Sequence, residues 1–195
     1  MKKRILAAVF TLMMLLSACG EDPLKTASRA AELYGGLESF SATVLVTMDH
    51  GDYLTDYVLT HSFSQNTHVL TVTEPLSLSG LTFSANGEDL ELSFDGVVFL
   101  PPSLDGTGAT PVKLLPDMLK ALSSGNYEGV FSLTEEDKTL ISVSVWSELD
   151  GDEFMHRITL DSESLAPVCA QVFCRGKAVL TAEFTEVTLN SSSNE

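Results

Sequence analysis

The chain has 195 residues, 44% of them hydrophobic, which suits one domain with a substantial core. It carries 27 acidic side chains against 11 basic ones, a formal charge of −16. A surface this acidic repels phosphate backbones and anionic lipid head groups, so nucleic acid is excluded as a partner and charge attraction cannot hold the chain to a membrane.

Lys2, Lys3 and Arg4 precede an apolar run from Ile5 to Leu16, broken only by Thr11, and Leu16-Ser17-Ala18-Cys19 follow. A basic start, about a dozen apolar residues and small residues at the end make an export signal. The run is shorter than the ~20 residues a membrane-spanning helix needs. Leu-Ser-Ala-Cys resembles the bacterial lipobox, which implies cleavage after Ala18 and acylation of Cys19 by fatty acyl chains such as palmitate. More than one chain gives lasting attachment, whereas a single chain binds marginally. Residues 1–18 are therefore predicted to be a signal peptide, 19–22 a lipidated tether, 23–190 a single domain and 191–195 a disordered tail. Cleavage removes three basic residues and no acidic ones, so the mature chain carries −19.

Asp22-Pro23 reads as an N-cap followed by proline at the first helical position. Leu24, Ala27, Ala31 and Tyr34 recur at helical spacing, and Gly35-Gly36 end the element. From Phe40 the period becomes two, with Ala42, Val44, Val46 and Met48 in phase. A turn at Asp49 to Asp52 leads to Tyr57, Leu59, His61 and Phe63. Further strands are marked by Leu70 and Val72, by Leu81 and Phe83, by Leu90, Leu92 and Phe94, and by 97–100. Asn86-Gly87 and Asp95-Gly96 are hairpin turns.

Residues 101–111 read as a loop by composition. Leu115, Met118, Leu119 and Leu122 predict a second helix, with Pro116 and Asp117 in its first turn. Strands resume with Phe131 and Leu133, then with Ile141, Val143 and Val145, then with Phe154, His156, Ile158 and Leu160. The stretches 167–174 and 178–189 complete the set. In the last, Leu180, Ala182 and Phe184 are out of phase with Val187 and Leu189, which predicts a bulge near Thr185. The sum is about eleven antiparallel strands and two short helices, with several strands apolar on both faces.

Beyond Cys19, Cys169 and Cys174 lie five residues apart on one strand. That separation is about 16 Å with side chains on opposite faces, too far for a disulfide. Two free thiols, buried or half-buried, are expected, and with no second pair or nearby histidine they are not a zinc site. No metal or cofactor is expected elsewhere. Asp150-Gly151-Asp152-Glu153 lacks calcium-loop spacing and reads as a hairpin turn, as does Glu135-Glu136-Asp137. His156 and His61 lie in phase with apolar neighbours. Each either lines a ligand cavity or is a hydrogen-bonded core or rim histidine, the commoner situation. His50 and His68 fall in or near turns and read as surface residues, while Trp146 and Met48 read as core or rim packing. No nucleophile-elbow, zinc-protease or phosphate-loop motif is present, so a non-enzymatic protein is expected. A Ser-His-Asp site assembled by the fold stays open.

The segments Tyr34-Gly35-Gly36-Leu37-Glu38-Ser39-Phe40-Ser41-Ala42, Glu74-Pro75-Leu76-Ser77-Leu78-Ser79-Gly80-Leu81-Thr82-Phe83 and Leu160-Asp161-Ser162-Glu163-Ser164-Leu165-Ala166-Pro167, in this layout, resemble the LolA and LolB lipoprotein carrier and receptor family. The resemblance implies a mainly β fold with α. Its core is a curved, unclosed antiparallel half-barrel whose short helices cover the concave face, enclosing an apolar groove for lipid or lipoprotein acyl chains. The residues placed to line such a groove are Val44, Val46, Leu59, Phe63, Leu92, Phe94, Leu115, Met118, Leu119, Leu122, Val143, His156 and Ile158. Tethered relatives of GerS type act by binding a partner enzyme, which gives the alternative of a protein-interaction module that anchors or activates an envelope enzyme. Two departures stand out. No arginine lies between Arg29 and Arg157 to serve as the carrier's lid-closing residue, and the carrier itself is not acylated.

Overall fold

The structure, a computed structural model, describes residues 22–87, 89–99, 109–135 and 138–192. The signal peptide and Cys19 lie outside these residues, as do Glu136 and Asp137 of one predicted turn. No described helix is long and apolar enough to cross a membrane.

Helix α1 (Pro23–Gly35) starts where Asp22 caps it, the carboxylate accepting from Leu24 N at 3.1 Å, and its stripe is Thr26, Ala27, Ala30 and Tyr34. Leu24, predicted in the stripe, is 67% exposed because it sits one position off the buried line. Six strands follow: β1 (Leu37–Asp49), β2 (Leu54–Ser64), β3 (Thr67–Glu74), β4 (Thr82–Asn86), β5 (Asp89–Phe94) and β6 (Val97–Phe99). Helix α2 (Pro111–Ser124) leads to β7 (Tyr127–Glu135), β8 (Lys138–Leu149), β9 (Asp152–Asp161), β10 (Pro167–Cys174) and β11 (Lys177–Ser191).

All eleven strands form one antiparallel sheet in the order β6-β5-β4-β3-β2-β1-β11-β10-β9-β8-β7. It is an unclosed half-barrel with edges at β6 and β7. Each strand pairs with its successor except β6, whose chain must reach the opposite edge, and α2 lies on that connection. One face, here the inner face, carries Phe40, Ala42, Val44, Val46 and Met48 of β1, all buried at alternate positions. Both helices pack on this side, closest to β7 and β8.

The predicted bulge is present. Phe40 pairs with Leu189 and Val44 with Phe184, so Ala42 faces the two residues Glu186 and Val187, and Glu186 takes φ +53°. The extra residue inverts the phase of β11 and keeps both of its ends apolar side inward. Strand β11 runs to Ser191, and Ser192 N donates to Gly36 O at 3.1 Å, so the chain is held slightly past the point where composition placed its tail.

Helix α2 differs from expectation. It begins at Pro111 after Thr110, five residues before the predicted start, and Pro116 lies inside it. Pro111 at the first position has no N–H to satisfy, which favours the earlier start. Pro116 removes one intrahelical hydrogen bond, a cost of about 3 kcal/mol in an isolated helix. Burial of Leu114, Leu115, Met118, Leu119 and Leu122, at about 1.5–3 kcal/mol each, offsets it.

Candidate functional site

The inner face divides into a filled part and a partly open part. In the filled part, Val44, Val46, Met118, Leu122, Val143, His156 and Ile158 have no accessible surface, and Leu59, Leu115 and Leu119 expose 5% or less. Nine of these ten groove candidates, all but His156, belong to one continuous apolar core. No solvent-sized space adjoins the seven with zero exposure.

The open part is on the other wing. Register carries the inner face from Leu59 and His61 of β2 to Val72 and Leu70 of β3, from Leu70 to Phe83 of β4, and from Phe83 to Leu92 of β5. Phe63, Phe83, Ala85, Leu90 and Leu92 are half-buried there, whereas Phe94 and Val97 are 43% and 54% exposed. From Leu90 to Phe94 this apolar strip runs about 13 Å at ~3.3 Å per residue. More exposed apolar side chains lie at the same end of the sheet as Phe94. These are Tyr53 in the β1–β2 connection, Leu54 at the start of β2, and Leu76, 88% exposed, in the β3–β4 connection.

Two polar clusters interrupt the inner face. In the first, Asp117 of α2 reaches the sheet: its Oδ2 lies 2.9 Å from His156 Nε2 and accepts from Ser147 Oγ at 2.5 Å, while Ser147 Oγ is 2.8 Å from the same Nε2. The sequence placed Asp117 only in a helical first turn. Its spacing, three after Leu114 and four before Ala121, puts it on the buried stripe, and that was the available signal. The trio has the composition of a hydrolase triad but not its wiring. There the carboxylate holds the histidine Nδ1–H and the serine faces Nε2. Here serine and aspartate share Nε2, and buried Nδ1 has no partner. No proton route runs from serine through the ring to the carboxylate. The cluster is a polar pin between α2, β8 and β9.

The second cluster is His61 Nε2, 3.1 Å from His68 Nδ1 across β2 and β3. His61 is wholly buried against the Phe40 ring, and its Nδ1 has no partner. His68, expected at the surface, is half-buried against the Phe63 ring at 4.6 Å, because β3 begins at Thr67 and directs it inward. Burial pushes His61 down to about 3, with the neighbouring ring adding to the effect, and pushes His68 down to about 4. Both are neutral at neutral pH. No group of three or more metal-ligating side chains occurs among the described residues.

Elsewhere the predicted positions hold simple roles. Cys169 and Cys174 are free and half-buried. Asp150-Gly151 is a hairpin turn with both residues at positive φ, and Asp150 pairs with Lys113 of α2. Trp146, 46% exposed, lies on the outer face beside Glu148, Glu153 and the Arg175–Asp152 ion pair in an open polar cleft.

An unclosed eleven-stranded antiparallel sheet with both helices on its inner face is the architecture that the resemblance implies. No protein-family model matches the sequence, and no curated protein matches it either. Solved structures with a similar chain course include a LolA superfamily protein from Nitrosomonas europaea, at 13% identity and TM-score 0.42, over 86% of this chain and 93% of that one. The lipoprotein LppX from Mycobacterium tuberculosis is similar at 12% identity and TM-score 0.44, over 87% and 97%. MucB of Pseudomonas aeruginosa, solved in complex with MucA, is similar at 14% identity and TM-score 0.45, over 89% of this chain and 59% of that one.

Proposed function

We propose that this chain is a cell-envelope lipoprotein, held to the membrane by acyl chains on Cys19, that binds an acyl chain or similar amphiphile on the inner face of β3–β6. The observation that carries the reading is the partial exposure of Leu92, Phe94 and Val97 on the face that strand register extends from the core residue Leu70. The groove-lining role passes to this wing, since the candidates on α2, β1, β8 and β9 are occupied by one another. Covering ten methylenes at ~0.8 kcal/mol each contributes about −8 kcal/mol before ordering costs.

Native mass spectrometry after mild extraction tests it. A noncovalent lipid adduct is expected beyond the chains on Cys19, reduced about tenfold in the double variant Phe94→Asp with Val97→Asp. These positions are exposed, so the changes should move stability by only about 0.5 kcal/mol. A chain that neither carries nor takes up lipid would sink the reading.

A protein partner is the second reading, favoured by Phe131 and Leu133 at the free β7 edge, 61% and 47% exposed. An open edge with apolar side chains invites strand addition. Recovery of no stoichiometric protein in a pull-down counts against it.

A further inference from the structure

From β3 to β5 the inner face is formed by His68, Leu70 and Val72, by Phe83 and Ala85, and by Leu90, Leu92 and Phe94. His68 is the one polar side chain among them. It lies opposite Ala85, which lies opposite Leu90, so it stands at one end of the apolar strip while Phe94 stands at the other.

The pair behind it fixes what His68 offers. One of the two facing nitrogens, His61 Nε2 or His68 Nδ1, donates to the other. If His68 donated, the remaining His61 nitrogen would be a buried N–H without a partner. If His61 donates, its Nδ1 is a bare lone pair without a partner. In the second arrangement both rings carry their proton on Nε2, the tautomer that a neutral histidine side chain favours, which selects it. His68 Nδ1 then accepts, and its proton sits on Nε2, which has no hydrogen bond to the described residues. Depression of both titrations by burial keeps the pair uncharged at neutral pH, so the ring acts as a neutral donor and not as a cation.

We propose that His68 Nε2–H, held in this tautomer by His61, binds the head oxygen of an acyl ligand whose hydrocarbon chain lies along Ala85, Leu90, Leu92 and Phe94. The shared ligand chemistry is a carbonyl or carboxyl oxygen on an alkyl chain, from a free fatty acid or from an acyl ester. This rests on the proposed acyl-binding surface and adds to it the recognised end of the ligand. A metal ion between the two rings would need further ligands, and among the described residues none converge there.

The test is equilibrium partition of radiolabelled palmitate, methyl palmitate and hexadecane onto the full chain in non-ionic detergent. His68→Phe should weaken palmitate, methyl palmitate or both by about tenfold, the scale of one hydrogen bond, and leave hexadecane within about twofold. His68→Gln, which keeps a donor, should retain most of the oxygenated ligand's affinity. Loss for palmitate alone identifies the free acid, and loss for both identifies the acyl oxygen in general. Equal weakening of all three ligands, or of none, overturns the proposal and leaves the apolar surface standing. Failure of the native chain to take up any of the three overturns the surface itself.

Discussion

His61 and His68 link a local contact to the behaviour of the whole fold. Their folded-state titrations lie at about 3 and about 4, below the ordinary 6.5. The unfolded chain therefore binds protons that the folded chain refuses once the pH drops below 6.5. Their contribution is intact above pH 6.5 and declines toward pH 4. Urea unfolding should show a loss of at least about 1.4 kcal/mol between pH 7 and pH 4, one unit of linkage by one histidine. Replacing both by leucine should shrink that loss; an unchanged slope would show that the pair does not titrate as its burial requires. Histidine at 61 was legible as inward-facing from its phase with Leu59 and Phe63. Its pairing with His68 was not, because the β2–β3 turn at Gln65-Asn66 carries no glycine to mark the register.

At the scale of one element, α2 shows packing overriding propensity. Pro116 lacks the N–H for its intrahelical bond, yet the helix continues around it. Pro116→Ala should raise stability by about 1–3 kcal/mol, read as a higher Tm, provided that the neighbouring turn keeps its place. A drop would mean that the helix needs proline at 116 to bring Asp117 to His156. The apolar stripe Leu115, Met118, Leu119 and Leu122 was readable by period. The first turn was not, since the Gly-, Ser- and Pro-rich stretch before it hides a helix start at Pro111. In β11 the reverse holds: two apolar phases in one strand demanded an extra residue, and Glu186 supplies it.

Across the whole molecule, stability should follow the division of the inner face. Strands β1, β8, β9 and β11 carry fully buried side chains, whereas every described side chain of β4–β6 is half-buried or exposed. Few buried contacts mean low opening energies. Hydrogen exchange should therefore be fastest in β4–β6 and slowest in β1 and β11. Binding of an acyl ligand should slow exchange in β4 and β5 first. Uniform protection across the sheet would contradict the division.

Alternation, turn residues and the phase break in β11 let the sequence specify the strands, the antiparallel plan and two helices, because these are encoded over a few residues each. It also identified a large apolar inner face. What it could not specify is which part of that face remains open, since this depends on where α2 lands on its way between the two sheet edges. Filling of the β1, β8 and β9 side, exposure of Leu92 and Phe94, and the meeting of Asp117 with His156 all follow from contacts between residues far apart in the chain. Periodicity registers which way a side chain points, and only the folded chain determines what it meets there.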